Sequence, residues 1–347
     1  MEKAEMNNSS VFLEVKDLKK YFPIKRGLFG KTIGYVKAVD GVDFFINKGE
    51  TLALVGESGC GKTTIAKTIL RALDPTDGDV IIHLDSQTIN AAKIDKKDQA
   101  ILRKNIQMIF QNPFTSLNPR MKVRDIIGEP LYVNKIAKGG ELEDMVGELM
   151  EKVGLRPEYM IRYPHAFSGG QRQRIVIARA LALKPKLVVC DEPVAALDVS
   201  IRAQILNLLM DLQEELDLTY LFISHDLSVV EHISDQVAVM YLGRIVEIAN
   251  TKELFESPKH PYTEKLLEAV PVPDPEVRMD QLKPLEGEVP DPANPPSGCY
   301  FHLRCPYAGE ICEKEYPEIT NLKNGESDHL VACHFASDLS LRGIKIT

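Results

Sequence analysis

Three short stretches of this chain carry residue types that could do chemistry together. Gly56-Glu57-Ser58-Gly59-Cys60-Gly61-Lys62-Thr63 fits G-x-x-x-x-G-K-[ST], a loop whose chemistry is anion binding. Glycines let the backbone curl until several N–H groups face one phosphate, and a helix starting after the loop adds partial positive charge. Lys62 supplies a cation for the β- and γ-phosphates, and Thr63 a hydroxyl for Mg²⁺. Leu187-Val188-Val189-Cys190-Asp191-Glu192 is a hydrophobic strand that ends in two carboxylates. Asp191 at its tip suits Mg²⁺ held through water, and Glu192 suits polarisation of an attacking water. Ser168-Gly169-Gly170-Gln171 heads an apolar helix and makes a second anion cradle. By itself it reads as a helix cap. Its place about twenty residues before the Asp-Glu strand gives it a second use.

The elements that must hold these groups are legible from periodicity. Thr51–Val55 is a short buried strand running into the Gly56 loop, and Ile65, Ile69, Leu70 and Leu73 then mark one helix face. Residues 79–110 read as strand, polar loop, short helix and the strand Ile106–Phe110. Residues 112–183 are mainly helical, with an amphipathic stripe at Leu142, Met145, Val146, Leu149, Met150 and Val153. Ile201, Ile205, Leu208, Leu209, Leu212 and Leu216 form another stripe, followed by the buried strand Thr219–Ile223. Buried strands alternating with helices predict a mainly parallel α/β sheet. After about residue 250 prolines crowd a segment with little periodic pattern, which reads as a tail or small appended module.

Composition bounds the function. The 347 residues are 44% hydrophobic and 27% charged, which excludes wholesale disorder. A net charge of −8 lacks the basic footprint of a nucleic-acid binder, so no nucleic-acid partner is expected. No stretch approaches the ~20 consecutive apolar residues of a membrane span, and Met1–Ser10 lacks a signal-peptide core, so a cytosolic location is expected. In that compartment six cysteines point to metal binding or incidental burial rather than disulfides.

Five elements stand in an order and spacing similar to the ATP-binding cassette (ABC) ATPases. They are the loop at 56–63, Phe110-Gln111, Ser168–Gln171, the Asp191-Glu192 strand and Ser224-His225, with Ala196-Leu197-Asp198 where the family has its D-loop. The resemblance covers about residues 11–250. It implies a phosphate-loop NTPase fold with a RecA-like core, an antiparallel β subdomain and a helical subdomain inserted at about 112–174. It also implies two cassettes dimerised head to tail. ATP would lie between Gly56, Ser58, Gly59, Cys60, Gly61, Lys62, Thr63 and Thr64 of one cassette and Ser168, Gly169, Gly170 and Gln171 of the other. Glu192 would be the general base and His225 a γ-phosphate contact. Gln111 would sense both Mg²⁺ and the attacking water. Thr63, Gln111 and Asp191 would serve Mg²⁺, while Asp198 would cross the dimer interface or simply cap a helix. An aromatic residue near the N-terminus would stack on adenine; Phe22 aligns best, then Tyr21, then Tyr35.

Lys31–Gly41, His260-Pro261-Tyr262-Thr263 and Gly298-Cys299-Tyr300-Phe301-His302-Leu303-Arg304-Cys305-Pro306 are similar to the ATP-binding subunits of dipeptide and oligopeptide importers. Ser-Gly-Gly-Gln-Arg-Gln at 168–173 is similar to their F-type subunit. That resemblance implies a second, different cassette as partner, two transmembrane permease subunits and, indirectly, an extracytoplasmic substrate-binding protein. The chain would then be a peripheral subunit on the cytoplasmic face of the membrane. Importers of oligosaccharides or nickel are the alternative, and a nucleic-acid- or ribosome-associated ABC ATPase a more distant one. Departures from the family pattern are Phe167 for Leu, Ala195 for Ser and Cys60 for Ser, and none removes a catalytic group. A helix N-terminus at Cys60 could lower its pKa, although a small space-filler is the plainer reading.

Cys299, Cys305, Cys312 and Cys333 are separated by five, six and twenty residues, which is neither zinc-finger nor ferredoxin spacing. Spacing leaves a soft-metal site or free thiols open. The importer resemblance implies a 251–347 domain in which these four thiolates hold a [4Fe–4S] cluster, with Zn²⁺ as the alternative.

Overall fold

A computed structural model of the chain describes residues 10–27, 30–85, 87–270, 287–323 and 328–345. The polar N-terminus and Pro271, Pro273, Pro275 and Pro284 lie outside the described residues.

In chain order the strands and helices begin with β1 (Val11–Arg26), β2 (Lys31–Asn47), β3 (Thr51–Val55), α1 (Lys62–Ile69), β4 (Asp77–Leu84) and β5 (Gln87–Asn90). There follow α2 (Lys96–Asn105), β6 (Ile106–Ile109), α3 (Pro113–Ser116), α4 (Val123–Val133), α5 (Gly140–Lys152), α6 (Gly169–Leu181) and β7 (Leu187–Asp191). Next come α7 (Val199–Leu216), β8 (Thr219–Ile223), α8 (Leu227–Ile233), β9 (Gln236–Tyr241) and β10 (Arg244–Asn250). The series closes with α9 (Thr251–Glu256), α10 (Pro261–Glu268), α11 (Glu310–Lys314), β11 (Thr320–Asn321) and β12 (Leu330–Val331). The polar stretch expected as a loop after residue 79 holds the extra strand β5, paired antiparallel with β4. Its Ile89 and Ala91 bury themselves while Gln87 and Thr88 stay out, a period too short to stand out in sequence.

The chain divides into two compact units, each assembled from non-contiguous segments. The first comprises residues 1–12, 47–50 and 94–222. Its β6 runs parallel to β7, in register Ile106 with Leu187 through Ile109 with Cys190, and β8 lies on the other side of β7. β7 and β8 are buried at every residue, as expected of parallel strands covered on both faces. The stripes of α5 and α7 turn Val146 and Met150, and Ile205, Leu209 and Leu212, into the core.

The second unit comprises residues 13–46, 51–93 and 223–347. It holds a sheet in the order β2-β1-β4-β5 and a run of strands β11-β12-β10-β9-β3. Within that run β3 and β9 are parallel, and the remaining neighbours are antiparallel. The described residues after 250 are packed into this unit. β12 pairs with β10, and Tyr262 and Phe301 belong to one buried cluster with Val55, Val239 and Tyr241. Aromatic anchors do this work: Phe301 meets Tyr241 at 5.3 Å and Tyr262 at 5.4 Å between ring centres. A few large rings give poor periodicity but much buried area.

Among the described residues no helix is long and apolar enough to cross a membrane.

A buried carboxylate ties this region together. Glu247 on β10 accepts hydrogen bonds from the backbone N–H groups of Lys259 and His260 at 2.6 and 3.0 Å, and it meets His329 Nε2 at 2.6 Å. Burial alone would lower the pKa of His329, but Glu247 and Glu253 outweigh it and raise it. His260 has the opposite setting. It caps α10 by accepting from Tyr262 N at 3.0 Å, and burial pushes its imidazole down to about 3 from an ordinary 6.5. The folded chain therefore keeps His260 neutral while the unfolded chain protonates it. Its contribution to stability is intact above about pH 6.5 and is lost progressively as pH falls toward 3. His260→Asn keeps a capping acceptor and removes the titration. Denaturant titrations between pH 6.5 and 5 should show the wild type losing ~1 kcal/mol per pH unit more than the variant. Identical slopes would refute this account of His260.

Candidate functional site

The phosphate loop joins β3 to α1, and its glycines are there for stated reasons. A Cβ on Gly56 would lie 2.2 Å from Met240 O, and one on Gly61 would lie 2.1 Å from Ala38 O. Gly59 has open space around it but sits at φ +82°, where side chains are strained. Gly61 precedes α1 in a left-handed conformation at φ 114°. Lys62 is buried, and its ammonium donates to Gly56 O at 2.7 Å and Glu57 O at 2.9 Å, inside the curl of its own loop. Ser58 and Gly59 are exposed, and Thr63 and Thr64 half-buried. Burial pushes the Cys60 thiol up, against the lowering by Lys62. Desolvation outweighs the helix start, which agrees with the plainer reading of Cys60 as a small buried residue.

His225 follows β8 and is exposed. The turn that carries it is pinned by Ser224, whose hydroxyl accepts from Asp226 N at 3.0 Å, and by Asp226, which caps α8. Among the adenine candidates, Tyr21 is committed elsewhere: its hydroxyl donates to the buried Asp40. Asp40 also accepts from Arg244 at 2.9 Å and from Tyr300 OH at 3.1 Å. Burial would raise Asp40, but Tyr21 and Arg244 hold it below the usual carboxylate range. Phe22 is 36% exposed, with the Lys20 ammonium 5.0 Å from its ring centre, and Tyr35 is also exposed.

In the first unit, Asp191 ends β7 and is buried, with Glu192 next to it at φ +48°. A left-handed non-glycine residue is a local strain, of order 1–3 kcal/mol, of the kind that collects at functional sites. Gln111, just past β6, donates from Nε2 to Glu192 Oε2 at 2.6 Å. Ser168 caps α6 in a reciprocal box. Its hydroxyl accepts from Gln171 N at 3.3 Å, and its own N–H donates to Gln171 Oε1 at 3.1 Å. Gly170 is small because a Cβ there would lie 2.5 Å from Ile201 Cγ2, while Gly169 makes only ordinary contact with Leu197. Asp198 caps α7, accepting from Ile201 N and the Ser200 hydroxyl at 3.0 Å, and these bonds hold its carboxyl below the ordinary range. Thr63 and Asp191 carry hard oxygen donors that suit Mg²⁺.

The four C-terminal cysteines gather in the second unit. Cys299 N donates to Cys312 O at 2.8 Å, and the Cys299 thiol interacts electrostatically with Cys312, Cys305 and Cys333. Burial first, then the neighbouring thiols, push Cys299 up to about 12 and Cys305 to about 11. Among the described residues no group of three or more His, Cys, Asp or Glu side chains is arranged to hold a metal ion. The expected cluster ligands are therefore neighbours without being a formed metal site.

Sequence reasoning missed the residues that brace the phosphate loop from behind. Glu57 N donates to Tyr262 OH at 2.9 Å, and the Glu57 carboxylate pairs with Arg304 at 2.8 and 2.9 Å. Tyr262 and Arg304 stand in the two quoted importer-like stretches, but nothing in their spacing shows that they reach residue 57.

A phosphate loop between strand and helix, a strained acidic pair at a strand end and a capped Ser-Gly-Gly-Gln helix define an ABC-type ATPase. The pattern described as "ABC transporter" matches residues 39–195, and that described as "Oligopeptide/dipeptide transporter, C-terminal region" matches 246–312. The oligopeptide transport ATP-binding protein AppF of Bacillus subtilis is 53% identical over 95% of this chain and 99% of that relative. The dipeptide transport ATP-binding protein DppF of Haemophilus influenzae is 51% identical over 95% and 98%. Among solved structures, cbiO1 of Clostridium perfringens superposes with a TM-score of 0.59 at 28% identity, covering 71% of this chain and 91% of that one. The cassette MJ0796, solved as a dimer in a post-hydrolysis state with ADP and Pi, gives 0.59 at 27% identity over 69% and 98%. This chain belongs to the ATP-binding subunits of the dipeptide and oligopeptide ABC transporter family, and it is an ATPase.

The environments of Cys60 and Cys190 generate a prediction. Both are buried with thiols pushed up by desolvation. In the folded chain at pH 7.5 both should escape alkylation by iodoacetamide and react only after denaturation. Peptide mapping that finds Cys60 modified at native pH would contradict the raised thiol.

Proposed function

We propose that this chain hydrolyses ATP to energise import of di- and oligopeptides, acting in a nucleotide-sandwich dimer with a second, different cassette. The observation that carries the reading is the phosphate loop, fixed by backbone contact at Gly56 and Gly61, in a chain about half identical to peptide transport ATP-binding proteins throughout. In this reading Lys62 and the loop amides of residues 56–64 bind the phosphates, and Phe22 stacks on adenine. The Tyr21 alternative is weakened by its bond to Asp40. Thr63, Gln111 and Asp191 serve Mg²⁺, which supplies charge neutralisation at the phosphate oxygens when bound. Glu192 polarises the attacking water, Gln111 orients Glu192, and His225 contacts the γ-phosphate. Ser168, Gly169, Gly170 and Gln171 serve the partner cassette's nucleotide, and Asp198 lies at the cassette interface.

Two transmembrane permease subunits are the proposed output. The insertion at about 112–174 exposes Tyr132, Val133 and Ile136 at and just past the end of α4, and Ile161 and Tyr163 beyond α5. Apolar groups left in water on one helical insert suit a helix from a membrane partner. The subunit would then be peripheral, on the cytoplasmic face, with a substrate-binding protein acting indirectly.

Glu192→Gln tests the mechanism. ATP binding should persist while turnover of the assembled transporter falls by about 10²-fold or more. Retained hydrolysis would remove Glu192 from the role of base.

A cluster in the C-terminal segment belongs to the same reading. Cys299, Cys305, Cys312 and Cys333 are an all-sulfur set that suits a [4Fe–4S] cluster, with Zn²⁺ as the alternative. Cys299 N donates to Cys312 O at 2.8 Å, which ties two of the four segments together, and loading four thiols with metal would release protons. Protein purified without oxygen should be brown, absorb at about 400 nm and contain iron. Stoichiometric zinc without iron would favour the alternative, and neither metal would leave four free thiols.

A further inference from the structure

Glu57 sets a problem for its own loop. It is a carboxylate at the second position of a segment built to receive a multiply charged anion, and like charges held close repel strongly where water is scarce. The structure answers with Arg304, which comes from far along the chain. Its Nη1 donates to Glu57 Oε2 at 2.8 Å and its Nη2 to Oε1 at 2.9 Å, a two-pronged fork. The Arg304 side chain is 3% exposed, and that of Glu57 25%. Arg304 is itself fixed: Nη1 also reaches Tyr241 OH at 3.3 Å, and its backbone N–H donates to Phe301 O at 2.9 Å. Phe301 is buried against Tyr241 and Tyr262, and Tyr262 OH accepts from Glu57 N at 2.9 Å. One residue of the phosphate loop is thus gripped at its amide and at both carboxylate oxygens, by two residues beyond residue 250.

We propose that Arg304 is a positioning residue of the ATP site, which sets nucleotide affinity by neutralising and orienting Glu57 within the phosphate loop. This rests on the reading of residues 56–63 as the ATP-binding loop. The C-terminal segment is then part of the nucleotide site, although it contributes no group that touches nucleotide. Because the effect runs through the charge of Glu57, it grows with the charge of the ligand. A purely structural arginine would not distinguish ATP from ADP in this way.

The test is calorimetric binding of Mg-ATP and Mg-ADP to the purified full chain. Arg304→Met should weaken ATP by about tenfold, equivalent to about 1.4 kcal/mol, and ADP by less. Adding Glu57→Gln to Arg304→Met should recover most of the lost ATP affinity. Arg304→Lys keeps the charge but loses the fork; it should fall between wild type and Arg304→Met, and it carries the test if the methionine variant does not fold. Wild-type ATP affinity in Arg304→Met would overturn the proposal. So would equal losses for ATP and ADP, or a double variant as weak as Arg304→Met. Lys62→Ala serves as control: if it binds ATP as well as the wild type, the loop reading itself fails, and the proposal with it.

Discussion

Everything in the nucleotide-binding half follows from one constraint: an anion is to be held by backbone amides. Backbone can reach a phosphate only where side chains do not intervene, so the loop must press against other backbone. Gly56 is pressed on Met240 O and Gly61 on Ala38 O, each too close for a Cβ. The contacted segments must therefore be fixed in turn. Met240 lies on β9, which pairs with β3 in parallel, so the strand feeding the loop and the strand behind it share one register. The turn after β9 places Leu242 and Gly243 both at positive φ, as a two-residue hairpin requires, and returns β10 alongside. Gly243 N then donates to Cys60 O at 2.9 Å, and Asp40 N donates to Gly243 O at 2.8 Å. Loop, hairpin and β2 form one hydrogen-bonded chain.

That arrangement buries charge, and each buried charge is matched. Asp40 is 3% exposed and receives Tyr21, Arg244 and Tyr300, while Arg244 lies 4.2 Å from the Tyr316 ring centre. Glu247 is fully buried and receives two backbone N–H groups and His329. Removing one partner from such a set leaves an uncompensated charge, which typically costs about 3–5 kcal/mol. Both sets join residues of the cassette pattern to residues beyond 290. The C-terminal segment is therefore held to the second unit by polar groups that need each other, as well as by the Phe301 cluster.

How much of this was legible in the sequence depends on the range of the interaction. The phosphate loop, the β7 carboxylates and the Ser168 cap could be read because each is a local pattern with its own physics. Ser168 and Gln171 satisfy each other three residues apart, and Gly56–Thr63 needs only the strand and helix that flank it. The parallel strands were legible as apolar runs. What stayed hidden was pairing over long separations. Glu57 with Arg304 spans 247 residues, and the bond from the Tyr21 hydroxyl to Asp40 is likewise one that no periodicity reveals. The C-terminal segment showed little periodic pattern because the order of its described residues comes from a few rings, short helices, two two-residue strands and side-chain bonds. At Cys60 the local helix-start effect was visible in sequence, while the desolvation that outweighs it needed the fold.

The turn at 298–305 shows why these hidden contacts belong together. Gly298 sits at φ +64° with room for a Cβ only 2.2 Å from Cys312 O, so the turn is clamped against the 312 segment. His302 N donates to Cys299 O, Arg304 N to Phe301 O and Cys305 N to His302 O, which makes the stretch one tight unit. Two of its side chains are the thiols of Cys299 and Cys305, one is the buried Phe301, and one is the arginine on Glu57. A unit this short has few internal degrees of freedom.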